Sequence, residues 1–176
     1  GAADPFLALL PKLAPSPRTM MIEALAARGD PVACSAIRVE MSAADADVRR
    51  AAIEAIGRLD DASAVPLLVQ ALTGAKSSEE LQDVEFSLVG LRGGAGTDQA
   101  LAAELRQASA AAKLRLLAVL ARRGAHTAMP ALLAKASGAD AAVVRAAFQA
   151  IGRLAATDDL PAILEKLATL KCADAR

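Results

Sequence analysis

A single histidine, two cysteines and a row of arginines are the residues whose types could carry chemistry. His126 lies in Gly124-Ala125-His126-Thr127. A metal site needs several ligands at matched spacing, and no partner ligands stand at such spacing around it. His126 therefore reads as a solvated turn residue. Neither is there a nucleophile–base pairing that one histidine could complete. No cofactor, metal site or catalytic residue is predicted. Cys34 and Cys172 are too few for a disulfide scaffold. They fall in the first repeat unit and beyond the fifth, too far apart for a bond that needs Cα atoms within about 7 Å. Two free thiols are expected, Cys34 in buried packing and Cys172 on a tail. Arg28, Arg58, Arg92, Arg122, Arg123 and Arg153 recur at the ends of predicted helices. There a cation offsets the helix dipole and covers open carbonyls, so the row reads as structural before it reads as a phosphate-binding ridge.

The elements that position these residues repeat. The run Val48 to Leu59 superposes without a gap on Val143 to Leu154, an offset of 95 residues. Val65-Pro66-Leu67-Leu68 falls on Leu160-Pro161-Ala162-Ile163 at the same offset. Five such stretches recur at a spacing of about thirty-one residues, so 95 spans three units. Apolar residues make up 55% of the 176, aromatics only 2%. Alanine and leucine dominate, both strong helix formers with little strand preference. Each unit reads as helix, short turn, helix. In the second unit Asp45 or Asp47 caps the first helix, and Val48, Ala51, Ala52, Ala55, Ile56 and Leu59 share one face. Pro66 sits near the start of the second helix, where a missing N–H is tolerated, and Thr73-Gly74 ends it.

The third unit diverges most. Phe86, Val89 and Gly90 align with Ile53, Ile56 and Gly57, and Arg92-Gly93-Gly94-Ala95-Gly96 replaces the compact turn. That glycine run is expected to be the most mobile loop. Gly57, Gly90 and Gly152 are expected to let helices approach closely. The predicted fold is an all-α, right-handed α-solenoid of five helix pairs, at residues 17–46, 47–78, 79–110, 111–140 and 141–170. Residues 1–16 are a cap helix or the remnant of a preceding unit, and 171–176 a tail.

Lys plus Arg and Asp plus Glu are 20 each, so no net field attracts nucleic acid. No apolar run reaches the roughly 18 residues of a membrane span. The chain is expected to be an elongated helical monomer, with the cytoplasm as default compartment. Gly1 reads as the remainder of a cleaved tag, and the chain as a fragment.

The Asp47-Val48-Arg49 opening, the Ala64-Val65-Pro66-Leu67-Leu68 opening and Ala55-Ile56-Gly57-Arg58-Leu59 resemble HEAT repeats, most closely the short bacterial kind also found in phycobilisome lyases. The resemblance covers about residues 17–170, with a shorter period than the usual 40–47. It implies a non-catalytic scaffold that binds another protein, one module of a larger bacterial protein, with an enzyme-associated subunit of the phycobilisome-lyase kind as the alternative. Among HEAT enzymes, deoxyhypusine hydroxylase holds a di-iron centre with His–Glu pairs, which one histidine cannot build. The HEAT-like alkylpurine glycosylases use Trp and Tyr, and this chain has neither. In HEAT arrays the second helices line the concave face. Arg38, Glu40, Gln70, Glu104, Lys135, Glu165 and Lys166 are the predicted solvent-facing positions there, acidic toward the N-terminal end of the main column and basic toward the other.

Overall fold

A computed structural model describes residues 4–29, 31–59 and 62–173, with side chains described for 6–29, 32–59 and 62–169. Among them are eleven α-helices and no strand. A leading helix α1 (Asp4–Leu9) is followed by α2 (Pro15–Arg28) and α3 (Pro31–Glu40). Next come α4 (Ala46–Leu59) with α5 (Val65–Gly74), then α6 (Ser78–Gly90) with α7 (Gly94–Glu104). The last pairs are α8 (Ala110–Arg123) with α9 (Met129–Lys135), and α10 (Ala141–Leu154) with α11 (Leu160–Ala173). This is the all-α solenoid pattern of paired helices.

Short polar side chains start four of the first helices, α4, α6, α8 and α10. Asp45 Oδ1 accepts from the backbone N–H groups of Asp47 and Val48 at 3.0 and 3.1 Å, which makes Asp45 the cap of α4. Ser77 caps α6 through the Glu80 N–H at 3.1 Å, and Ser109 caps α8 through the Ala112 N–H at 3.3 Å. Asp140 caps α10, accepting from Ala142 and Val143 at 2.9 and 3.2 Å. Each bond satisfies an N–H that has no partner inside the helix. Asp140→Ala should therefore lower stability by about 1 kcal/mol, read as a shift of the urea midpoint at constant slope. An unchanged midpoint would mean that water replaces this cap without loss. At the other end, Gly29 and Gly124 close α2 and α8 at φ 66° and 70°, a left-handed conformation that costs glycine nothing. Pro66 and Pro130 enter the first turns of α5 and α9, each after a single 3-10 turn.

The chain forms two compact units, residues 1–93 and 94–176, and the division falls inside the third predicted repeat. In the first unit α2 packs on α4 and α4 on α6, while α3 lies against α4 and α5 against α6. In the second, α8 packs on α10, and α9 lies against α10. A second helix is thus covered by the first helix of the following pair. The buried side chains are mostly Ala, Val, Leu and Ile, with Ile22, Ile37, Ile56, Leu68, Leu88, Leu116 and Leu120 fully enclosed.

Four expectations change. The glycine run is not a long loop, because α7 already begins at Gly94. Phe86 is 63% exposed where Ile53 is 1% exposed. Burial aligns Val48, Ala52, Ala55 and Ile56 of α4 with Glu80, Val84, Ser87 and Leu88 of α6. The register is thus 32 residues, which puts Phe86 at the outward position of Glu54. Cys34 is half-buried rather than enclosed, and it forms no disulfide among the described residues. The side chain of Cys172 lies outside the described residues. Gly152 has nothing within 4 Å of where a Cβ would stand, so no close approach explains it, whereas Gly57 faces Ser87 at contact distance.

Candidate functional site

The seven predicted concave-face residues divide between the units. Arg38, Glu40 and Gln70 belong to the first, and Glu104, Lys135, Glu165 and Lys166 to the second. Arg38, in the last turn of α3, donates from Nη2 to Ser63 Oγ at 2.6 Å. Glu40 is not solvent-facing. It is 3% exposed, and Arg18 of α2 reaches it with Nη2–Oε1 at 3.0 Å and Nε–Oε2 at 2.9 Å. A carboxylate this buried needs a cation, and α2 supplies it, so Glu40 holds a helix pair together. Gln70 is exposed and lines a groove of about 210 Å³ beside Met41, Ser42, Leu67 and Lys76. Glu104 ends α7 and Lys135 ends α9, both half-buried. On α11 Glu165 is exposed and Lys166 half-buried.

Buried ion pairs are what the sequence reading missed. Arg49 and Glu80 are each 6% exposed and meet side by side, Nε–Oε1 and Nη2–Oε2 both at 3.2 Å. Arg49 Nη1 also donates to the Ala43 and Ala44 carbonyls at 2.9 and 2.8 Å. The Glu80 carboxyl sits below the ordinary glutamate value. Its hydrogen bond from Arg49 outweighs the opposing effect of burial, and the Lys76 backbone N–H adds to it. Arg50 meets Asp83 through a single Nε–Oδ2 bond in a more exposed pair, and Arg123 meets Asp98 at 2.9 Å. The available signal was spacing. Arg49–Glu80 and Arg50–Asp83 stand 31 and 33 residues apart, one repeat, so opposite charges recur at stacked positions.

A groove of about 510 Å³ lies between the first helices α2 and α4. From α2 it takes Ser16, Thr19, Met20 and Glu23, and from α4 Asp47, Arg50, Ala51 and Glu54. Met20 is 66% exposed, and Glu23, Asp47 and Glu54 all face solvent. The one cation of the groove, Arg50, is engaged by Asp83, so the field in the groove is negative. Glu54 also borders a second, shallower groove with Gly57, Arg58, Phe86 and Gly90. One surface of the first helices thus carries two large exposed apolar side chains and an acidic strip. Among the described residues no group of three or more His, Cys, Asp and Glu stands where it could hold a metal ion, and no helix is long and apolar enough to cross a membrane.

Residues 3–88 match the family model for HEAT repeats. That stretch carries HEAT repeats. Among solved structures, the chain is similar to human deoxyhypusine hydroxylase in complex with glycerol, at 23% identity and a TM-score of 0.46. The likeness covers 90% of this chain and 65% of that one, and it concerns the fold alone. No curated protein matches. The expectation of a non-catalytic scaffold module is corrected at this point. A HEAT-repeat structure to which the chain is similar is that of an enzyme, so the repeat does not by itself assign a scaffold role.

Proposed function

We propose that the HEAT repeats of the first unit bind another protein through the outward surface of α2, α4 and α6, and not through the second helices. The observation that supports this is the groove between α2 and α4, acidic through Glu23, Asp47 and Glu54 and flanked by the two-thirds-exposed Met20. Helix stacking has no use for a large apolar side chain turned to solvent. Exposed apolar residues rimmed by charge are the usual composition of an interaction surface. Methionine suits such a surface because its unbranched chain adapts to the shape of what it meets. The carboxylates select a cationic segment, and they act on association rate and specificity more than on affinity. The partner segment presents lysine or arginine beside an apolar anchor.

The test places a photo-crosslinking amino acid at Met20, at Gln70 or at Ala118 of the second unit, in cells of the source organism. One protein should be captured at position 20 and not at 70 or 118. Glu23→Lys with Glu54→Lys should reduce that capture by about tenfold, and added salt should do the same. Capture of that protein at 70 alone, or indifference to the charge reversal, would put the binding surface elsewhere.

A further inference from the structure

Glu54 stands between two grooves. On one side it closes the acidic groove of α2 and α4, and on the other it borders a smaller one between α4 and α6. That second groove is about 170 Å³, lined from α4 by Gly57 and Arg58 and from α6 by Phe86, Ser87 and Gly90. The two glycines have no side chain to fill it. Ser87 donates its hydroxyl to the Ile53 carbonyl at 2.9 Å and does not offer it to the groove. Phe86, 63% exposed, is the apolar wall. The result is an apolar socket with charge at its rim, in Glu54 and Arg58. A site that encloses a whole small molecule runs to roughly 300 Å³ or more, so this socket takes one side chain. A first helix packs on either side of α4, so both grooves are exposed with their neighbours in place.

We infer that the partner segment is extended and makes two contacts at a fixed spacing, a lysine or arginine in the α2–α4 groove and one apolar side chain in the α4–α6 socket. The inference rests on the protein-binding reading of the first groove and adds the second contact. Charge sets the order of the two. Glu23 and Asp47 stand exposed at the first groove and Arg58 stands exposed at the socket, so a cation is drawn to the first and repelled from the second. The fold sets the spacing. The middle of the first groove is level with Arg50 and the socket with Gly57, seven residues on, or about 10 Å along the helix. Crossing from one side of α4 to the other adds about 8–10 Å, the ordinary separation of packed helices. The contacts are then about 13 Å apart, which four residues of extended chain span. The line between them passes over the crest of α4. An extended segment bends over that crest, whereas a helix laid across it would reach one groove and miss the other.

The probes are peptides of two lysines and one leucine separated by zero to seven serines, titrated into the full chain and followed by its amide NMR signals. The peptide with about three serines should bind most tightly and shift the signals of both Glu23 and Gly90. With no serine the contacts cannot both form, and binding should fall by about tenfold; with seven, the lower effective concentration should cost about threefold. Gly90→Leu fills the socket. A Cβ there meets only the Gly57 carbonyl oxygen, at 3.5 Å, so α4 and α6 stay in place. This variant should weaken the best peptide by about tenfold and abolish the dependence on spacer length. Phe86→Ser removes the wall at an exposed position and should act in the same direction. Circular dichroism of both variants should match the parent. Binding that Glu23→Lys with Glu54→Lys weakens, but that ignores Gly90→Leu and spacer length, overturns the second contact and leaves the first-groove reading standing. Binding indifferent to that charge reversal, or no binding, overturns both. A dimer in sedimentation velocity that Gly90→Leu abolishes would put a second copy of the chain in the socket, and that result also overturns the inference.

Discussion

Arg49→Met will lower the unfolding free energy by about 3–5 kcal/mol, more than the loss of any exposed ion pair in the chain. The guanidinium and the Glu80 carboxylate are both enclosed, and each satisfies the other through two parallel hydrogen bonds. Methionine keeps most of the volume of the arginine stem but leaves a carboxylate in a dry site with only the Lys76 N–H, at 3.3 Å, to hold it. It also strips the Ala43 and Ala44 carbonyls of their donor. Most of the loss is thus the stranded charge, and that is testable. The double change Arg49→Met with Glu80→Leu should recover a large part of it, because both charges then leave the interior. Acid should act on the same pair. The Glu80 carboxyl is held below its ordinary value, chiefly by the Arg49 hydrogen bond. Its contribution is therefore complete at neutral pH and is lost as pH falls through the lowered value. Asp45 and Lys76 also face the pair and modulate it. Urea melts at pH 7 and pH 3 should show a smaller acid loss in the double variant than in the parent. Equal losses would remove Glu80 from the acid response.

Gly57→Ala will cost about 2–3 kcal/mol, although alanine is the better helix former by about 1 kcal/mol. A Cβ at Gly57 would stand 2.6 Å from the Cα and Cβ of Ser87 and 2.8 Å from its Oγ. Backbone atoms of α6 cannot swing aside as a side-chain tip can, so α4 and α6 must separate. Separation also stretches the 2.9 Å bond in which Ser87 Oγ donates to the Ile53 carbonyl. The matched experiment is Gly152→Ala, at the equivalent position of the last pair. Nothing lies within 4 Å there, and the helix propensity should act alone, raising stability by up to about 1 kcal/mol. Opposite signs at two glycines in the same Ala-Ile-Gly-Arg-Leu run are the expected result. A loss at both would mean that position 152 is covered in solution, and a gain at both would mean that α4 and α6 are farther apart than described.

Helix pairs, their caps and their stacking were legible in the chain because each depends on residues close in sequence. The 3.6-residue spacing of Val48, Ala52, Ala55, Ile56 and Leu59 makes one face apolar whatever surrounds it. Asp45, Ser77, Ser109 and Asp140 cap helices through N–H groups two or three residues away. The thirty-one-residue spacing made a solenoid the natural assembly, since no single pair could bury its own apolar face. Residue function across repeats was not legible in the same way. Glu40 sits in a column of charged residues that reads as solvated, and Arg18, twenty-two positions earlier, encloses it. Phe86 reads as core under a register of 33, and a one-residue change of register turns it outward. Gly57 and Gly152 share their local sequence and differ only in what the neighbouring helix brings to them. Local propensity acts within a few residues, whereas burial, pairing and clearance are set by side chains a whole repeat away. Only the packed structure decides which of two identical glycines is crowded.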